Sequence, residues 1–468
     1  MLYWQSADRE QAHWPVPRVS LLVAFFVMGL ASPVLGGRLG IVAAFFAAAC
    51  FPSKALRAHL RKGDLISIIA IVSCVMILGN FDAIGDLLGN DSFRFSWILL
   101  GLSGLAIPAR FKLIRGPVFG CCMAMIAMMV FQITSAVGNT SVILAIERNG
   151  SYLAAFLLAT IVLIRKASRD TFIWQMALVS MVNCGFCAFE ILYPTSSITI
   201  SSSRLADTTL RSAGLYANAI TSGLMVTNFL LITAMSCTKP KATKKEKAAL
   251  LCMTGITGIG VLATFSRSAA LAFFMAGIMV ALRIANNKVD RFIQYAPVAV
   301  AVLLVSFFAA GEFMVSKGSL HKDATKRYDM MKNVMQGDVG LIAEALIHRT
   351  GAWEPSRRYW EKPTVFGYGY AFCSENEIFP PHNMIILTLV ETGLVGLLVF
   401  VSLIVYFCGF GAWSFTARNG LLFSALFLPI LLIIVESHSL FTRRYFCVYL
   451  VNLMLLTRVI FSNKELRR

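Results

Sequence analysis

His382 and two arginines, Arg211 and Arg267, carry most of the chemistry that this sequence offers. His382 stands in Pro380-Pro381-His382-Asn383, directly before an apolar run. A Pro-Pro pair cannot continue a helix but suits the turn before one, so the histidine is expected at or near a helix N-terminus. An imidazole titrates near neutral pH and can take a proton from a hydroxyl; an interfacial helix cap is the other open reading. Arg211 opens RSAGLYANAITSGL, and Arg267 sits in TFSRSAALAF between two closely spaced apolar runs. Charge at the edge of a membrane span is costly and by default marks function. A guanidinium just before a helix start can hold an anion through bidentate bonds, helped by backbone N–H groups and the helix dipole. Snorkelling to lipid headgroups is the alternative for each.

What must position these residues is a membrane bundle. Of 468 residues, 57% are hydrophobic and only 14% charged, a balance no soluble domain has. Long period-2 alternation is lacking, which argues against a membrane β-barrel. The net charge of +18 fits basic loops facing anionic headgroups better than it fits nucleic acid. Most of the 11 cysteines lie in apolar runs, so no disulfide framework is implied. Cys184 and Cys187 form a C-x-x-C inside a hydrophobic segment, where helix packing is a better reading than a redox or metal pair. Phosphate-loop, zinc-ligand and GxSxG patterns are lacking.

The expected fold is all-α, a polytopic bundle of about 12–14 transmembrane helices with one large outer loop that itself contains helices. Candidate spans fall near 19–35, 39–53, 65–80, 95–109, 117–138, 151–164, 172–192, 214–236, 248–265, 268–285, 292–311, 383–408, 420–436 and 443–461. The chain then divides into an N-terminal segment 1–18, spans over 19–311, a loop 312–381, spans over 382–461 and a tail 462–468. The first helix is read as retained, since another span and not a soluble domain follows it. With the N-terminus inside, 24 of the 42 Lys and Arg lie on the cytoplasmic side, and the short outer connections carry eight. That is the positive-inside rule, and it puts both termini inside and the loop 312–381 outside.

The loop holds nine Lys and Arg, and long loops are exempt from that rule. Its segment 321–360 reads as helical and mixes His348, Arg349, Trp353, Arg357, Arg358 and Trp360. Such a mixture suits sugar faces and phosphates, or else a helix lying on anionic headgroups. At about 100° per residue, Gly393 and Gly396 fall within about 40° of the His382 direction, a stripe that another helix or a lipid chain can approach. Glu190 is the main intramembrane acid, near the outer end of its span. Glu436, His438, Arg443 and Arg444 cluster in the last outer turn and read as local salt bridges.

Taken in order, these stretches resemble the O-antigen ligase and polymerase superfamily of bacterial envelope biogenesis. RSAGLYAN resembles the family's Arg-x-x-Gly-Leu-(aromatic)-x-Asn stretch, and TFSRSAAL its Ser-Arg-x-x-x-Leu element. Arg349 and Trp353, then FGYGY, PHN and ETGLVG, resemble the run into its signature helix. The ligase signature (His, then Asn, Ser or Gln, nine residues, Gly, two residues, then Gly, Thr or Tyr) is met by His382, Asn383, Gly393 and Gly396. The resemblance covers residues 200–410. Two departures stand: Ala219 follows Asn218 where a small polar run is usual, and the candidate spans outnumber those of a ligase.

The resemblance implies a glycosyltransferase that moves a glycan from undecaprenyl diphosphate to an acceptor sugar at the periplasmic face of the bacterial inner membrane. The ligase signature favours lipid A-core as acceptor over a second carrier-linked glycan, which would make the protein a repeat-unit polymerase. His382 becomes the base, Arg211 and Arg267 the diphosphate clamp, and Arg349, Trp353 and Asn383 weaker glycan or diphosphate contacts. Gly393 and Gly396 line a groove for the lipid chain. Neither metal nor cofactor is implied, because two arginines can take a divalent cation's place, and nucleic acid is no partner. A lipid or solute transporter is the rival from another class. It would need mid-membrane charges and an inverted repeat, and neither is evident.

Overall fold

The computed structural model describes residues 17–51, 57, 61, 117–143, 145–146, 166–193, 214–216, 219–236, 243–264, 266–284, 329, 333, 354–370, 372–376, 378, 381 and 383–413. Among them every regular element is helical. Four stretches are long and apolar enough to cross a membrane, Val19–Ala49, Thr171–Leu192, Lys244–Thr264 and Met384–Ser402. The protein is an all-α helical bundle of a multi-pass membrane protein. The spans expected at 65–80, 95–109, 151–164, 292–311, 420–436 and 443–461 lie outside the described residues, as does most of the loop segment 321–360.

The chain forms two compact units. The first contains α1 (Val19–Ala49), α3 (Lys166–Leu192), a 3-10 turn at Gly214–Tyr216, α4 (Ala219–Ser236), α5 (Lys244–Thr264) and α6 (Arg267–Ile284). At its centre is α3, with Phe172, Met176, Ala177, Val179, Met181, Cys184 and Phe186 all buried. A helix apolar on every side must be covered on every side, and α1, α4 and α5 pack around this one. Small residues let them come close. A Cβ on Gly29 of α1 would collide with the Val182 carbonyl, one on Gly185 with the Phe26 carbonyl, and one on Gly260 of α5 would lie 2.5 Å from Cys184 Sγ. Cys184 therefore fills a helix crossing. On α1, Val19, Val23 and Val27 are exposed at a spacing of four while Leu22 and Phe25 are buried, which leaves an apolar face turned outward.

The runs expected at 19–35 and 39–53 fall on either side of a sharp kink within α1. Pro33 lies inside it, and Gly37 turns it with φ 55° and ψ −138°. A Cβ on Gly40 would strike the Ser32 carbonyl eight residues back. In a straight helix those residues are about 12 Å apart along the axis, so the chain bends sharply there. At the start of α5, Thr243 and Glu246 cap each other: Thr243 N donates to Glu246 Oε2 at 2.7 Å and Glu246 N to Thr243 Oγ1 at 3.2 Å.

The second unit contains α2 (Pro117–Ala136), a 3-10 turn at Glu354–Ser356, α7 (Arg357–Trp360), α8 (Phe372–Glu375) and α9 (Met384–Trp413). α2 packs along α9, and the short helices α7 and α8 rest against α9 as well.

Candidate functional site

In the first unit, the turns that carry the two arginine motifs meet at the start of α4. Gly214 of RSAGLYAN has φ +52°, and a Cβ there would crowd Asn183 Oδ1, Cys187 Sγ at 2.7 Å and Ser222 Oγ at 2.9 Å. Only glycine fits that conformation in that space. The turn is then tied to α3: Leu215 N donates to Asn183 Oδ1 at 2.8 Å, and Gly214 N to Glu190 Oε2 at 3.0 Å. Asn183 Nδ2 in turn donates to Ser222 Oγ of α4 at 2.8 Å. One residue on, a Cβ at Gly223 would collide with Ala269 Cβ and sit 3.0 Å from Thr264 Oγ1. That is the junction of α5 and α6, where Ser266 caps α6 by accepting from Ala269 N at 3.3 Å. Arg267 is the first residue of α6. Arg211, three residues before the turn, lies outside the described residues, and of Arg267 the backbone is described. Ser222 and Gly223 thus bring the backbone following Arg211 and the backbone carrying Arg267 onto neighbouring positions of one helix.

In the second unit, the signature helix is not continuous. Gly393 has φ 68° and ψ −165°, which breaks α9. A break of this kind releases the bonds from Leu394 N to Val390 O and from Val395 N to Glu391 O. All four freed groups are taken up by the FGYGY loop. Leu394 N donates to Thr364 O at 3.1 Å and Val395 N to Val365 O at 3.2 Å, while Tyr368 N donates to Val390 O at 2.8 Å and Gly369 N to Glu391 O at 3.1 Å. Irregular backbone is tolerated near a membrane only when its polar groups are satisfied by protein in this way. Gly367 (φ +80°) and Gly393 face each other across the joint: a Cβ on either would run into the other strand's backbone. FGYGY and ETGLVG, separate in sequence, are one interlock.

The far side of the loop is held by the end of α2. Tyr370 is buried with Ala136 and Ala145, Thr140 and Asn139 press on Gly369, and Ser141 N donates to the Glu375 carboxylate at 3.2 Å. Tyr359 packs edge to face on Tyr368 and Phe372, which are tilted against each other, all with centroids 5.0–5.2 Å apart. Arg357 pairs with Glu361 and Glu354, and the Arg358 guanidinium lies 4.6 Å over the Tyr359 ring. Cys373, buried beneath the loop, has its thiol pushed up to about 12 by desolvation and then by the nearby Glu391 carboxylate.

His382, Arg349 and Trp353 lie outside the described residues. The cap of α9 is Asn383, whose Oδ1 accepts from Ile385 N at 2.9 Å and Ile386 N at 3.3 Å. The stripe shared by His382, Gly393 and Gly396 presumes an unbroken helix, and the break at Gly393 removes that basis. Loop backbone occupies the approach to Gly393, and the Thr392 side chain that to Gly396. Sequence reading missed Asn183, Ser222 and the loop carbonyls. An Asn amid the apolar residues of α3 was a readable signal, since an amide there needs partners; backbone acceptors carry no signal in residue type.

The fold and these turns define a multi-pass helical membrane protein with basic, small-residue turns at its helix ends. Residues 249–401, which span Arg267, the interlock and the His382 signature, match the family model described as O-antigen ligase. The match supports glycan transfer of the ligase or polymerase type. No curated protein matches the chain.

Proposed function

We propose that this protein transfers a glycan from undecaprenyl diphosphate to a sugar hydroxyl of lipid A-core, at the periplasmic face of the bacterial inner membrane. The observation that carries this reading is the O-antigen ligase match, which covers both Arg267 and the His382–Gly396 signature in one stretch. His382 removes the acceptor hydroxyl's proton, and the oxygen attacks the anomeric carbon in line. The bond from that carbon to the diphosphate breaks, its electron pair leaves with the lipid diphosphate, and the anomeric configuration inverts. Arg211 and Arg267 neutralise the departing charge. The convergence of their turns on Ser222 and Gly223 supports a shared clamp. Arg349, Trp353 and Asn383 are secondary contacts to glycan or diphosphate. The polyprenyl chain lies along the α9 edge beside Gly396, where Leu394, Leu398, Val401 and Val405 are exposed.

The test uses purified protein with undecaprenyl-diphosphate glycan and lipid A-core, without nucleotide. Expected is glycan joined to the core, lost in His382→Ala and Arg267→Ala. Ladders of longer carrier-linked glycan would instead make it a polymerase. Transfer that survives in His382→Ala would remove the base.

A further inference from the structure

Glu190 is a carboxylate that the transfer chemistry leaves without a role, and Asn183 is an amide in the most enclosed helix of its unit. Both hold the same three-residue turn. Asn183 Oδ1 takes the Leu215 amide and Glu190 Oε2 the Gly214 amide, at 2.8 and 3.0 Å. Polar groups of this kind are expensive inside a span, and an apolar turn of Gly, Leu and Tyr can be held by packing alone. Their presence buys a direction for the backbone that packing would not specify.

We propose that Asn183 and Glu190 are positioning residues for donor binding, which fix the Gly214–Tyr216 turn and through it the approach of Arg211 to the lipid diphosphate. This rests on Arg211 being part of the diphosphate clamp. Arg211 lies three positions before Gly214, so chain length alone keeps it within about 10 Å of the turn. The turn has no slack, because Gly214 is enclosed by Asn183, Cys187 and Ser222 together. Asn183 also holds Ser222 at 2.8 Å, next to Gly223, against which the Arg267 turn packs. One amide therefore ties the Gly214–Tyr216 turn to the point of α4 on which the α5–α6 junction packs. Misplacement by about 1 Å of a group that orients a substrate costs about 100-fold in rate.

The full-length protein in lipid nanodiscs is titrated with farnesyl diphosphate, and transfer kinetics are measured with carrier-linked glycan. Glu190→Ala and Asn183→Ala are expected to weaken farnesyl diphosphate binding and raise the donor KM by about 10- to 100-fold, with the acceptor KM unchanged. Glu190→Gln keeps an acceptor oxygen for the Gly214 amide and retains most of the affinity. In an Arg211→Ala background, adding Glu190→Ala changes binding less than about twofold, because the group it positions is gone. An equal loss with and without Arg211, or no loss in the wild-type background, overturns the positioning role. Wild-type affinity in Arg211→Ala alone overturns the clamp instead, which separates the two failures. Should Asn183→Ala not fold, Glu190→Ala and Glu190→Gln carry the comparison.

Discussion

Replacing Gly393 with alanine is expected to release the FGYGY loop while leaving α9 helical. At φ 68° and ψ −165° the backbone is in a region essentially confined to glycine, and a side chain there costs about 1–3 kcal/mol. The new Cβ would also press on Gly367 N, Val365 O and Thr364 O, all backbone atoms of the docked loop. Alanine has an easy escape, since it favours continuous helix over any interruption. Once Gly393 becomes helical, Leu394 N returns to Val390 O and Val395 N to Glu391 O. The loop's four groups, now bonded at 2.8–3.2 Å, turn to water. Four interstrand bonds become two intrahelical ones, so undocking costs a net of about 2 kcal/mol at roughly 1 kcal/mol per bond. The alanine strain, at about 1–3 kcal/mol, offsets from half to more than all of that. At 1.4 kcal/mol per tenfold, strain alone moves the docking equilibrium by about 5- to 150-fold. Hydrogen exchange read by mass spectrometry over residues 364–370 measures this directly. The Tyr368 and Gly369 amides should lose protection by that factor, with helix content by circular dichroism unchanged. Unaltered protection at both amides would show that the loop is held by something other than the break, and a fall in helix content would show that the helix cannot close without it.

Two further outcomes follow from the same unit. With its thiol pushed up to about 12, Cys373 should resist maleimide at pH 8, where only about one molecule in 10,000 carries the thiolate; the exposed Cys50 serves as the labelled control, and Gly393→Ala should make Cys373 reactive. The linkage has a definite sign: the unfolded thiol loses its proton near its ordinary value of 9.0 while the folded one keeps it, so this contribution to stability is complete below about pH 9 and falls as pH rises toward 12. Asn383→Ala should lower thermal stability by about 0.5–2 kcal/mol through loss of the α9 cap, with Asn383→Asp or Asn383→Ser recovering most of it. Equal loss in all three would assign Asn383 a substrate contact instead, to be read from the donor KM.

The parts of this protein that were legible in its sequence are those written in residue type. Apolar runs of membrane length announced α3, α5 and α9, and Pro380-Pro381 announced the start of α9. The T-x-x-E capping box at Thr243 and Glu246 is written in residue type too, but the sequence reading missed it. What stayed hidden depends on backbone partners far apart in the chain. Gly393 and Gly396 looked like a groove because a helical wheel assigns one direction to residues spaced about 100° apart. The wheel holds only while the i→i−4 ladder is intact, and at Gly393 that ladder is exchanged for Thr364, Val365, Tyr368 and Gly369. Neither half of the exchange has a signature of its own, since any residue's carbonyl can accept. The glycines are the visible trace: Gly367 and Gly393 are each required by the other's backbone, so two glycine motifs that flank a histidine in sequence are better read as the two faces of one joint than as two independent motifs. The same logic applies to RSAGLYAN, where Gly214 marks the point at which Asn183 and Glu190 take hold. In both units, glycine identifies where a loop is locked to a helix.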